Sequence, residues 1–381
     1  MPYAEGRTYY DADSHLMETQ EWMLKYADPD IRKELRPLYL GGAGKLVEGA
    51  IARIEGRRDS AEAQSLAEER LMQNKGWLAL GATDPQERKR ALDLLGFHKQ
   101  LVFSTFAPTH FEGLENQIVY GGVLAHNRAI SDFCAHDKRL IGVGYVPLYD
   151  AEMALGSVTQ ALKLGCGAIL VPSYPPKGKS PSHPDYFPIW ALLQEARVPF
   201  MLHVGGGGNP LNRSFNNNGK PPTTDFIGGG ENIRSKDYMV LHNPPEAFLS
   251  VMVLDGIFER FPRLMAGCIE QGAMWVVPWL KRLDLCQQMF AKTEPALKEL
   301  PMPASDYVRR QIRFTPFPTE PVGWMIENAG EELFLFSSDY PHPEGGCDPL
   351  RRFEASMSGV GQRAKTRFYS ENFAAMMRLD A

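Results

Sequence analysis

The stretch Tyr9-Tyr10-Asp11-Ala12-Asp13-Ser14-His15-Leu16-Met17-Glu18 begins as a short strand. It places Asp13 and His15 two residues apart. Residues i and i+2 of a strand point to the same face. A carboxylate and an imidazole would therefore aim at one point from one strand end, as a metal site requires. Similar side chains recur downstream. His203 follows Phe-Met-Leu, Glu270 ends Arg263-Leu-Met-Ala-Gly-Cys-Ile-Glu270, and Asp339 sits in Ser338-Asp339-Tyr340-Pro341-His342. His242, just before a helix, is a sixth candidate. Singly, each has an ordinary explanation: Asp-x-His arises by chance, His203 reads as a core histidine, and Asp339 as a turn cap. Together, metal-capable groups on four strand ends are hard to explain as packing.

The elements that must position them alternate in type. Short apolar runs at 8–11, 98–105, 139–147, 167–172, 198–204, 263–270, 312–317 and 333–339 read as strands. Helical patterns lie between them. Ala154, Leu155, Val158, Ala161 and Leu162, for example, fall on one helix face. Repeated βα units argue for a parallel sheet covered by helices, and eight of them for a closed (β/α)8 TIM barrel of the α/β class. Such barrels carry their chemistry at the C-terminal strand ends, where the candidates lie. The chain reads as one domain over 1–381, with a polar, mostly helical insertion at 20–95 and further helices at the C-terminus. A Gly-, Asn- and Pro-rich stretch at 205–240 reads as a long active-site loop. Pro244 to Phe261 reads as a helix, with Asn243 as N-cap and Pro244 in its first turn. The glycines at 205–208 follow a strand, but no Gly-x-Gly-x-x-Gly opens a helix there, so a dinucleotide fold is a poor fit.

Composition narrows the class. Of 381 residues, 44% are hydrophobic and 23% charged, with a net charge of −5, which argues against a nucleic-acid partner. No apolar run reaches a membrane span, and Met1 to Arg7 shows no signal-peptide pattern. The cysteines, five in number and without Cys-x-x-Cys spacing, read as reduced thiols of a cytoplasmic enzyme.

Asp11-x-Asp13-x-His15, the strand ending in His203, Phe261-Pro262-Arg263-Leu264 leading to Glu270, and Ser338-Asp339-Tyr340-Pro341-His342 resemble the amidohydrolase-related group. These are metal-dependent TIM-barrel hydrolases and decarboxylases (amidohydrolase family 2, ACMSD-like). The resemblance implies a divalent metal held by the strand 1 pair, His203 and Asp339. There are departures. Family decarboxylases often carry His-x-His at strand 1, where Asp13-x-His15 stands here, and a catalytic His where Glu270 stands. A carboxylate suits a hard cation better than it suits proton shuttling near neutral pH. Asp13, Glu270 and Asp339 bring three negative charges to one pocket, more than one divalent cation offsets. A carboxylate-rich branch of the group, which includes non-haem dinuclear monooxygenases, resembles this pattern.

The resemblance implies a monooxygenase with two ions, iron or mixed manganese and iron, on Asp13, His15, His203, His242, Glu270 and Asp339. Glu270 and Asp339 would be its catalytic carboxylates. It would hydroxylate a small organic molecule with electrons from an external donor. The alternative is a hydrolase, with zinc, or a non-oxidative decarboxylase. In hydrolysis Asp339 would be the base, acting on a metal-activated water. A homo- or hetero-oligomer is expected by analogy. Around the site, Glu18 and His342 are expected to support ligands or substrate. Arg213 or Arg234 could meet a substrate carboxylate. Trp275 could line the pocket, although helix-to-barrel packing explains it more simply. His98, His110, His126, His136 and His183 fit no constellation.

Overall fold

The computed structural model describes residues 2–40, 44–111, 113–174, 176, 178–206, 211–221 and 233–379. The strands are β1 (Tyr10–Asp11), β2 (His15–Leu16), β3 (Lys99–Ser104), β4 (Leu140–Tyr145), β5 (Ala168–Leu170), β6 (Phe200–His203), β7 (Ala266–Ile269) and β8 (Ile312–Phe314). They pair in parallel in the order β1-β3-β4-β5-β6-β7-β8, with β2 also on β3. The opening strand is thus interrupted, and Asp13 lies in the break. Segment 333–340 closes the ring. Leu335 N donates to Phe314 O at 2.9 Å on one side; on the other, His15 N donates to Tyr340 O at 2.8 Å and Asp339 N to Asp13 O at 3.0 Å. The strand expected at 333–339 therefore exists as single bridges, Phe314 with Phe334 and Ser14 with Tyr340.

Helices cover the sheet. They include Asn116–Cys134, Ala151–Lys163, Phe187–Ala196, Val276–Phe290 and Val322–Ala329. With both faces covered, strand residues are buried regardless of parity, which is why the strands read as continuous apolar runs. The helix expected from Pro244 to Phe261 is two. Asn243–Leu254 ends before Gly256, whose φ of 74° breaks it from Ile257–Arg260. His242, not Asn243, takes the N-cap position, and its side chain caps nothing.

The 20–95 region is helical as read, but its last helix belongs to the core. Pro85–Leu95 begins where Asp84 accepts from Gln86 N and Glu87 N, and it ends at Gly96 in the left-handed region. It buries Ala91, Leu92 and Leu95 along with Arg88. Of the 205–240 loop, Gly207, Gly208 and Asn209 lie outside the described residues. Its described part includes a short turn, Arg213–Asn216, and a helix, Ser235–Val240.

Candidate metal centre

Four strand ends deliver buried ligand groups to one point. Asp13, His15, His203 and Glu270 each offer an atom, all within 4.8 Å of one another. A second group at the same spacing, His15, Glu270, Asp339 and His342, shares two members with the first. His15 Nε2 lies 3.3 Å from Asp13 Oδ1 and 3.6 Å from both Glu270 Oε2 and Asp339 Oδ1. Glu270 and Asp339 reach the centre from left-handed backbone, with φ of 54° and 51°. Non-glycine residues rarely adopt that region, which costs roughly 1–2 kcal/mol each. Thr315 Oγ1 accepts from Glu270 N at 2.8 Å and helps hold the bend.

The hydrogen bonds fix where imidazole protons lie. His203 Nδ1 is 3.1 Å from the Val204 carbonyl, which can only accept, so Nδ1 carries the proton. Its Nε2 then faces Glu270 Oε2 at 3.2 Å and Asp13 Oδ1 at 3.4 Å. His342 repeats the arrangement. Thr105 Oγ1 donates to Leu16 O at 2.9 Å, so it accepts from His342 Nε2 at 3.0 Å. Its Nδ1 lies 3.2 Å from Asp339 Oδ1. Imidazole nitrogens and carboxylate oxygens this close need a proton or a cation between them. The second hydrogen bond that orients each imidazole is the usual support of a metal ligand. Buried Asp13 Oδ2 and Asp339 Oδ2 accept no hydrogen bond among the described residues. A divalent cation fits this donor set.

Electrostatics agree. Burial pushes His15 down to about 3, helped by His342, so it stays neutral as a ligand must. Burial raises Asp339 to about 7, against the pull of His342 and with Asp13 adding to the rise.

Beneath the ligands runs a network that the residue pattern did not reveal. Asp11 accepts from Ser338 N at 2.7 Å, Ser338 Oγ at 2.6 Å and Gln100 Nε2 at 2.8 Å, tying the first strand to the last. Gln100 Oε1 accepts from buried Arg88, which also donates to the His15 carbonyl.

Several expected site residues lie elsewhere. His242 joins neither ligand group among the described residues. It pairs with Glu246 at 3.7 Å and stacks on Trp275 at 5.7 Å. The Asn243 helix starts beside it and keeps it half-buried. Glu18 is buried, but its carboxylate accepts from Thr105 N, Phe106 N and Ala107 N at 2.9, 2.9 and 3.0 Å, which commits it to the loop after β3. Arg213 is exposed. Trp275 packs edge-on against Phe314 and beside Trp279, in the helix-to-barrel layer. His342, expected only as support, stands among the ligands. Glu344 was not anticipated. It lines one small cavity with Asp13, Glu270, Thr315, Phe317 and Asp339, and only its nearness to His342 in the chain could have pointed to it.

The amidohydrolase family matches residues 11–379. The chain belongs to that family. Solved structures share its fold. An amidohydrolase from Mycobacterium avium subsp. paratuberculosis K-10 has a TM-score of 0.75 at 20% identity, covering 98% of this chain and 100% of that one. A 5-carboxyvanillate decarboxylase from Sphingomonas paucimobilis gives 0.63 at 16% identity, over 98% and 99%. A dihydroxybenzoic acid decarboxylase from Polaromonas sp. JS666 gives 0.63 at 15% identity, over 99% and 98%. Among the described residues, no helix is long and apolar enough to cross a membrane.

Proposed function

We propose that the chain is a metal-dependent, non-oxidative decarboxylase of a small aromatic acid. What supports this reading is the convergence of Asp13, His15, His203 and Glu270, four buried groups whose ligand atoms all lie within 4.8 Å of one another. Such a set is built for a hard or borderline divalent cation. The Polaromonas decarboxylase of the same fold carries bound manganese and the inhibitor 2-nitroresorcinol. When bound, the cation acts as a Lewis acid that polarises a substrate carboxylate or phenolic oxygen.

This chain's residues do the rest. Asp13, His15, His203 and Glu270 hold the ion. The reaction, R–COO⁻ + H⁺ → R–H + CO₂, consumes one proton per turnover. Asp339, buried beside His15 and His342, would be the group that holds that proton at its Oδ atoms. The surrounding burial keeps bulk water from competing.

One observation favours a second reading, the dinuclear oxygenase. The two ligand groups both include Glu270, whose carboxylate has two oxygens and could serve two ions, while His15 could serve only one of them. That reading needs dioxygen and electrons from an outside donor.

The test loads the stripped protein with Mn²⁺ under anaerobic conditions and measures CO₂ release from a panel of hydroxylated aromatic acids. The proposal expects release without oxygen. No release, with substrate-dependent O₂ uptake by the Fe²⁺-loaded protein, transfers the assignment to the oxygenase.

A further inference from the structure

Arginines gather at the end of the barrel opposite the metal centre. Arg313 is the second residue of β8 and lies level with Gly267 of β7, three residues before the ligand Glu270. At the rise of a strand, that is about 10 Å along β7 from the ligand. The side chain turns further away. Its Nη1 donates to Ile312 O at 2.8 Å and to Arg309 O at 2.9 Å, in the last turn of the helix Ala304–Gln311. Arg313 is only 6% exposed, and its Nε has no partner among the described residues. Nε and Nη2 form the edge of a guanidinium that grips two oxygens of one oxyanion side by side.

The surroundings do not neutralise this charge. Both hydrogen bonds from Nη1 go to neutral carbonyls. Glu332 is engaged by Arg309 at 3.0 Å, and Glu331 lies 3.3 Å from Arg363 and 3.4 Å from Arg367. Arg378 Nη2 donates to Arg263 O at 3.3 Å, just before β7 begins, from left-handed backbone at φ 56°. Asn372 Nδ2, on the segment between Arg367 and Arg378, donates to Glu331 O at 2.8 Å and Phe334 O at 2.9 Å, which fastens that segment to the start of the closing strand. Burial lowers Arg313 to about 10, still charged at neutral pH; Glu332 resists the fall, and Arg367 and Arg378 add to it. A buried cation without its own counter-charge is costly, and like charges beside it raise the cost. A bound anion relieves both.

We propose that the N-terminal end of the barrel holds an oxyanion site of the phosphate class, with Arg313 as its buried anchor and Arg367 and Arg378 at its rim. The site is independent of the metal centre and of the activity proposed there. The Nε–Nη2 edge of Arg313 takes two oxygens, and the rim arginines meet the remaining charge. A free phosphate ion and the phosphate end of a larger ester present the same oxygens.

The experiment titrates inorganic phosphate, and separately glycerol phosphate, into Mn²⁺-loaded protein by calorimetry, against sodium chloride of matched ionic strength. Wild type, Arg313→Met, Arg313→Lys and Arg378→Gln are compared, with manganese content and thermal unfolding measured on the same samples. Wild type is expected to bind one phosphate per chain with a Kd of about 1 mM or tighter. Arg313→Met is expected to weaken binding about tenfold or more, and Arg378→Gln about three- to tenfold, with manganese retained in both. Arg313→Lys keeps the charge without the fork and falls between wild type and Arg313→Met. Equal binding of glycerol phosphate supports the site with an ester end as its ligand; rejection of the ester supports it with the free ion. Unchanged phosphate binding in folded Arg313→Met overturns the proposal, because the ion then sits elsewhere, on manganese for example. Should Arg313→Met fail to fold, unchanged binding in Arg378→Gln overturns it instead. Wild type that binds no phosphate above the chloride control also overturns it, and leaves the decarboxylase reading untouched.

Discussion

His342 Nε2 donates to Thr105 Oγ1 at 3.0 Å, across two strand ends far apart in the chain. The Thr105 hydroxyl proton is already given to Leu16 O, so this bond sets the imidazole tautomer. Thr105→Val keeps the shape and removes the acceptor. Metal affinity is expected to fall about 10- to 100-fold, as for other loss of support behind a ligand. Chelator competition with Mn²⁺ measures it. Unchanged affinity with an intact fold would show that the tautomer lock is idle.

Glu270 occupies left-handed backbone at φ 54° and brings a buried carboxylate close to Asp13. Both features cost stability in the metal-free protein. Glu270→Gly relieves them, against a smaller entropic loss of about 0.5–1 kcal/mol. The metal-free variant is expected to be more stable than wild type by about 1 kcal/mol. It is also expected to lose the stabilisation that Mn²⁺ gives wild type. Urea unfolding with and without the ion tests both parts. A destabilised metal-free variant contradicts the strain argument.

Asp11 acts as acceptor for Ser338 and Gln100, and Gln100 is itself held in one orientation by Arg88. Asp11→Asn places an amide N–H₂ against a donor whichever way it turns. The expected loss is about 2–3 kcal/mol in urea unfolding. A loss under about 0.5 kcal/mol would mean the network rearranges freely.

His126 is buried between Ser104 Oγ at 2.7 Å and Asn127 Oδ1 at 2.9 Å. Asn127 Nδ2 donates to Tyr145 O, so its Oδ1 is the acceptor, and neutral His126 satisfies both neighbours. Burial lowers its pKa to about 4. The unfolded chain, with an ordinary histidine, binds the proton first as pH falls. Stability from this group is therefore complete above about pH 6.5 and declines down to about pH 4, by roughly 3 kcal/mol. His126→Gln should flatten that part of the stability profile relative to wild type. Parallel profiles for the two proteins would remove His126 as the cause.

Much of this site is visible in the linear chain, for a physical reason. Asp13, His15, His203, Glu270 and Asp339 are polar groups at the ends of apolar runs, and a βα barrel brings such ends together. His242 shares the residue type but sits at a helix start rather than a strand end, beside Trp275 and Glu246. Glu18 illustrates the reverse. A buried carboxylate in the right stretch is spent on backbone N–H groups, and no spacing rule reveals that. Asp11, Arg88 and Thr105 matter through partners dozens to hundreds of residues away, so only the folded chain exposes them. The closing strand was readable as apolar sequence, but its reduction to single bridges follows from barrel geometry.

The proposed activity requires a cation bound by Asp13, His203 and their neighbours. The direct test is elemental analysis of the chelator-stripped chain after Mn²⁺ reloading and desalting, beside His203→Ala treated identically. Wild type should retain at least one equivalent of manganese per chain and unfold at higher temperature than its stripped form, with both effects lost in His203→Ala. Wild type that keeps no stoichiometric metal and shows no thermal shift with Mn²⁺, Fe²⁺ or Zn²⁺ would contradict it.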